Sequence, residues 1–184
     1  MRVPLLTAGF FGLLAITLAA PALGADQSYE SCGQITSEYV TVLQLAGRGL
    51  SGDVLKTTLP GLSEKAAQRI DALLQLVEAD GLPETYSTVN SEYARCAAEV
   101  FKAQGVPERL SREAHFHFCA GENKVRYEVL LAALVGAKED EVVSQLQAQH
   151  RQAGSAIFRL YESQGELAVF DTLGTELKYC LNGR

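Results

Sequence analysis

Four cysteines constrain this chain more than any other feature. Cys32 and Cys96 lie 64 positions apart, and Cys119 and Cys180 lie 61 apart. An even number of cysteines behind an export leader predicts two disulfides. Three pairings are possible. The near-equal spacing favours Cys32 with Cys96 and Cys119 with Cys180, as though one Cys-to-Cys unit were written twice.

The export leader is residues 1–24. Arg2 precedes an apolar run from Leu5 to Ala20 that only Thr7, Gly9, Gly12 and Thr17 interrupt, and Ala22-Leu23-Gly24 supplies small residues for a signal peptidase. Cleavage before Ala25 leaves 160 of the 184 residues. An uncleaved anchor is the competing reading, because Val3 to Leu23 is nearly long enough to span a bilayer. The leader points to a periplasmic or secreted mature protein with no stable membrane insertion after cleavage.

Sliding the chain on itself extends the cysteine argument. With a shift of 84, Ala66–Cys96 falls on His150–Cys180 without a gap, and eight of 31 positions are identical, among them Leu76 with Leu160, Gly81 with Gly165, Glu92 with Glu176 and Cys96 with Cys180. Tyr86 pairs in kind with Phe170. A shift of 87 aligns the earlier part, setting Cys32 on Cys119, Gly49 on Gly136 and Asp53 on Asp140. The difference between the shifts falls near Pro60-Gly61, which only the first copy carries. The sequence thus predicts an all-α fold, a bundle of two tandem disulfide-stapled helical modules over residues 25–105 and 106–184, packed as one domain.

Within the first copy, Tyr29, Cys32, Ile35, Tyr39, Val42 and Ala46 recur at helical spacing up to Gly47 and Gly49. A short helix from Asp53 is expected to stop at Pro60-Gly61. Ser63 can cap the next, whose stripe is Ala66, Ile70, Leu73, Leu74 and Val77, with Gly81 as its left-handed end. Pro83 suits the first turn of a helix through Tyr86, Val89, Tyr93, Cys96 and Val100, ending at Gly105. The second copy repeats the plan from Ser111 to Val135, from Glu139 toward Ser163, and from Gly165 through Cys180. Lacking the Pro-Gly break, its middle helices can run together into one. The polar Gly121-Glu122-Asn123-Lys124 predicts a kink in its first helix. No stretch alternates as a strand would.

Catalytic and metal motifs are weakly represented. His115 and His117 form a candidate metal pair, and His115 shares a helical face with Cys119; a disulfide at Cys119 would remove that sulfur as a ligand. His150 is the only other histidine. The loop Gly47-Arg48-Gly49-Leu50-Ser51-Gly52 follows a helix and lacks the Walker lysine, so it reads as a turn rather than a phosphate cradle. Neither G-x-S-x-G nor C-x-x-C occurs. The repeated acids Glu78, Glu92, Glu162 and Glu176 form a candidate polar site, each expected to accept a hydrogen bond or pair with an arginine of a neighbouring helix. No cofactor is implied.

Charge narrows the partner. Without Arg2 the chain carries 15 basic and 22 acidic residues, a charge of −7. Counterion release from phosphates is therefore not the expected source of binding energy, and no nucleic-acid partner is expected. An acidic, stapled helical domain is expected to act by protein–protein contact, as an inhibitor or immunity-type factor for a partner with a basic surface. A periplasmic stress chaperone is the alternative, followed by an enzyme with its site between the modules.

Overall fold

A computed structural model describes residues 27–58 and 62–183. The leader, residues 1–24, and the Pro60-Gly61 stop lie outside them. The described residues form eight α-helices: α1 (Tyr29–Gly47), α2 (Gly52–Thr58), α3 (Glu64–Asp80), α4 (Leu82–Gln104), α5 (Arg112–Leu134), α6 (Glu139–Gln145), α7 (Ala148–Gln164) and α8 (Glu166–Leu181). None of these helices is long and apolar enough to cross a membrane.

Local chemistry sets most of the boundaries. Ser28 opens α1 with a reciprocal capping box, its hydroxyl accepting from Ser31 N at 3.0 Å while the Ser31 hydroxyl accepts from Ser28 N at 2.9 Å. Ser63 and Ser111 cap α3 and α5 by accepting from Ala66 N and Ala114 N. Gly81 and Gly165, at φ 91° and 81°, end α3 and α7 and begin the following helix in the same residue. A side chain would be strained in that conformation, which is why glycine stands at both corners.

Helices α1, α4, α5 and α8 pack against one another at the centre, with α3 laid on α4 and α1, and α7 on α5 and α8. One apolar cluster draws Val40, Leu43, Tyr86 and Val89 together with Tyr127, Leu130, Phe170 and Leu173. The Tyr86 and Phe170 rings stack in it, 5.3 Å apart and 10° from parallel. A second cluster gathers Tyr29, Cys32, Tyr93, Phe116 and Leu177. The cysteines pair as the spacing favours: Cys32–Cys96 joins α1 to α4, and Cys119–Cys180 joins α5 to α8.

The central helices approach closely where side chains are missing. A Cβ on Gly174 would overlap Val40 Cγ1, and one on Gly33 would lie 2.8 Å from Leu181 Cδ2. Polar groups tie the same helices. Glu113 of α5 accepts from the N–H groups of Tyr29 and Glu30 at 2.7 and 3.3 Å, placing a carboxylate on the positive end of α1. Arg112 grips Glu30 at 2.5 and 2.6 Å and holds that carboxyl below its ordinary pKa.

Three expectations are corrected. The buried face of α1 runs through Cys32, Thr36, Val40 and Leu43, and Ile35 is exposed. Neighbours on several sides demand a wider buried face than one stripe, and Thr36 enters it because its hydroxyl donates to Cys32 O at 2.8 Å. Helix α5 crosses Gly121–Lys124 without a break. Asn123 is buried there and donates to Asn90 Oδ1 of α4 at 2.9 Å, while Glu122–Arg126 and Lys124–Glu128 span successive turns. The middle helices of the second half do not fuse: Leu146 and Gln147 are extended between α6 and α7. That turn folds Leu146 back onto α7, so close to Gly154 that a Cβ there would stand 2.7 Å from Leu146 Cδ1.

Two outcomes follow for measurement. Gly174→Ala should lower the unfolding free energy by about 1–3 kcal/mol in urea titration through overpacking against Val40. Gly121→Ala, with nothing within 4 Å of its Cβ, should be neutral or stabilise by up to about 1 kcal/mol.

Candidate functional site

The disulfide Cys119–Cys180 holds α5 and α8 side by side, and the seam between them opens into a groove of about 340 Å³. Phe118, Glu122 and Arg126 line it from α5, each one turn beyond the last; Leu173, Glu176, Leu177, Tyr179 and Cys180 line it from α8. Leu173 and Leu177 also belong to the buried core, so the apolar wall is rigid. Phe118 and Tyr179 stand at its edge, 58% and 57% exposed. A smaller cleft between α7 and α8 continues the groove, sharing Arg126, Leu173 and Glu176.

The charges are arranged in depth. Arg126 donates to Glu122 Oε2 at 2.6 Å, and its Nε lies 2.8 Å from Glu176 Oε2. The second approach is poorly aligned, so the buried Nε makes no directed hydrogen bond. Behind them, buried His150 sets Nδ1 3.6 Å from Glu122 Oε1, with Gln149 Nε2 3.2 Å from its Nε2. Glu122 is 21% exposed and Glu176 52%. The inner carboxylate thus serves Arg126 and faces His150, while the outer one faces solvent. Two carboxylates, one guanidinium and two aromatic faces make a surface suited to recognition.

Of the acids singled out by the self-alignment, only Glu176 lies in this groove. Glu92 pairs within α4 with Arg95, which also bonds Glu99 at 3.0 Å. Glu78 and Glu162 are exposed in the last turns of α3 and α7, with no ion pair among the described residues. His115 Nε2 lies 2.8 Å from Cys180 O and 3.8 Å from Cys119 Sγ, beside the disulfide. His117 turns away to pack on Tyr29 and Phe101, with ring centroids 4.7 and 6.3 Å off. Among the described residues no group of three or more His, Cys, Asp or Glu is placed to hold a metal ion. Between Gly47, the last residue of α1, and Gly52, the first of α2, Arg48 and Gly49 form a turn, with Gly49 at φ 87°.

Sequence reasoning missed Phe118, Arg126 and Tyr179. The Phe118, Glu122, Arg126 series was legible as a helical face. Its meeting with Glu176 and His150 depended on how three helices pack.

No protein-family model matches the chain, and neither a curated protein nor a solved structure matches it.

The ion-pair geometry carries its own test. Arg126→Met should cost about 1 kcal/mol of unfolding free energy, because Glu122 loses its cation while half-exposed Glu176 is little affected. Adding Glu122→Gln should recover most of the loss; a strictly additive double variant would show that the two side chains are not coupled.

Proposed function

We propose that the protein is exported and acts by protein–protein contact, as an inhibitor or immunity-type factor, with the α5–α8 groove as its contact surface. The observation that carries this reading is the pairing of two largely exposed aromatics, Phe118 and Tyr179, with half-buried Arg126 around one apolar-walled groove. Aromatic residues and arginine are enriched at the energetic centres of interfaces, whereas single exposed apolar residues are ordinary. The disulfide beneath the groove fixes its two helices before binding, so little ordering remains to oppose association. The excess of acidic over basic residues suits a basic partner surface.

Location enters the same proposal. A signal-peptide leader and two disulfides suit the periplasm or a secreted state, where thiols stay oxidised.

We also infer that the fold arose from two tandem copies of a four-helix module. Helix bounds support it: α2 and α6 begin 87 residues apart, and α3 and α7 are offset by 84 at both ends, the two shifts that align the sequence. The halves also cross-contact each other at aligned positions of α8 and α4, although the α1 and α5 residues that reach them are not aligned. Gln44 of α1 donates to Asp171 O and the Thr175 hydroxyl of α8, while Tyr127 of α5 bonds the Ser87 and Ser91 hydroxyls of α4, the positions aligned with Asp171 and Thr175. Tyr86 and Phe170, aligned with each other, stack on the axis such a pairing requires.

Affinity capture from a cell-envelope extract with the oxidised protein tests the contact reading. The wild type should retain one dominant partner at matched stoichiometry. Phe118→Ser with Tyr179→Ser should reduce retention at least tenfold, a loss in the range of one interface hot spot, while Leu110→Ser, 95% exposed in the linker between α4 and α5 and outside the groove lining, leaves it unchanged. Equal retention by both variants refutes the groove; suppression of aggregation of several unrelated clients with no dominant partner would favour a chaperone instead.

A further inference from the structure

Resting on the contact reading, the charges of the groove identify what enters it. We propose that the α5–α8 groove receives an arginine side chain presented by the partner protein, with Glu176 as its ion-pair acceptor and Phe118 and Tyr179 as the faces that flank its guanidinium.

Glu176 is the acceptor because it is the carboxylate with capacity to spare. Arg126 approaches only its Oε2, at 2.8 Å and out of line, and Glu176 accepts no aligned hydrogen bond from any described residue. A carboxylate offers about four acceptor positions across two oxygens, so the 52% exposed side chain presents most of its capacity to solvent. Glu122 is already engaged by Arg126 and faces His150. The groove therefore holds two carboxylates against one guanidinium, and its unneutralised charge is the outward one. A partner carboxylate would meet repulsion from the outer Glu176 before reaching Arg126, which lies between it and Glu122.

The aromatics select the planar cation. Guanidinium stacks on aromatic faces and bonds carboxylate through two parallel N–H groups, whereas ammonium does neither as well. The first half supplies an internal precedent. The residue aligned with Glu176 is Glu92, and the residue aligned with Tyr179 is Arg95, whose guanidinium bonds Glu92. Where the first half fills its carboxylate from its own helix, the second half puts a tyrosine and leaves the carboxylate to Arg126 of α5 on one oxygen and to solvent over half its surface. Ile35 and Tyr39 stand where the second half has Glu122 and Arg126, so the recessed ionic pair is also peculiar to the second half.

The test is a titration of the isotopically labelled, oxidised protein with N-acetyl-arginine-N-methylamide, followed by NMR. The neutral isostere N-acetyl-citrulline-N-methylamide and the lysine analogue serve as comparators. Expected are shifts confined to Phe118, Glu176, Tyr179 and their neighbours on α5 and α8, with citrulline binding roughly fivefold or more weakly, the size of one exposed ion pair, and lysine weaker than arginine. Glu176→Gln should erase the preference for arginine over citrulline; Phe118→Ser, a substitution at an exposed position, should weaken arginine and lysine toward equality. Citrulline binding as well as arginine, or shifts centred elsewhere, overturns the proposal. The two readings separate: loss of the captured partner in the Phe118→Ser, Tyr179→Ser variant with no arginine preference overturns the arginine site alone. Arginine binding at the groove with partner capture untouched by that variant overturns the contact reading alone.

Discussion

The two disulfides decide which helices are neighbours, and the rest of the architecture follows from that decision. Each closes a loop of more than sixty residues, which in the chain-entropy picture removes about 4 kcal/mol of freedom from the unfolded state. Because each bond joins the first helix of a Cys-to-Cys segment to its last, α1 is held to α4 and α5 to α8. Those four helices can then bury Val40, Leu43, Leu130 and Phe170 in one shared core. The groove is a direct consequence: its floor includes Cys180, and its two walls are the helices that the second bond clamps.

Polar side chains inside this core are placed where they do structural work. Thr36 bonds back to its own helix, Asn123 reaches Asn90, and at the core's margin the partly buried Lys178, whose pKa burial pushes down, donates to the buried Gln44. Such pairings satisfy groups that would otherwise be costly to bury. Tyr93 departs from this: its hydroxyl is buried without a partner, and burial raises its pKa. The groove concentrates charge differently, layering His150, Glu122, Arg126 and Glu176 from buried to exposed.

The candidate site was only partly legible in advance. Glu176 stood out because the self-alignment placed it on Glu92, yet the same argument also raised Glu78 and Glu162, which end up exposed and unpaired among the described residues. An identity found by sliding a helical chain on itself marks a position the helix geometry favours, and helix ends recur as faithfully as sites do. Phe118 and Tyr179 drew no notice because an exposed aromatic is recognised only once the burial of its neighbours is known. The kink expected at Gly121–Lys124 failed for a related reason: local propensity counts a buried asparagine as a weak helix former, but Asn90 on α4 turns it into a cross-helix anchor.

The sequence alone determined the all-α class, the cap at Ser63, the glycine corners at Gly81 and Gly165, and the favoured cysteine pairing, because these depend on backbone chemistry, periodicity and spacing along one chain. It could not determine which face of α1 is buried, where α6 stops, or which charges meet. Those were decided by packing in three dimensions. Leu146 turns back onto Gly154, Gly174 admits Val40, and Arg126 finds Glu176 because α5 and α8 are clamped together, and none of these partners is marked by its distance along the chain.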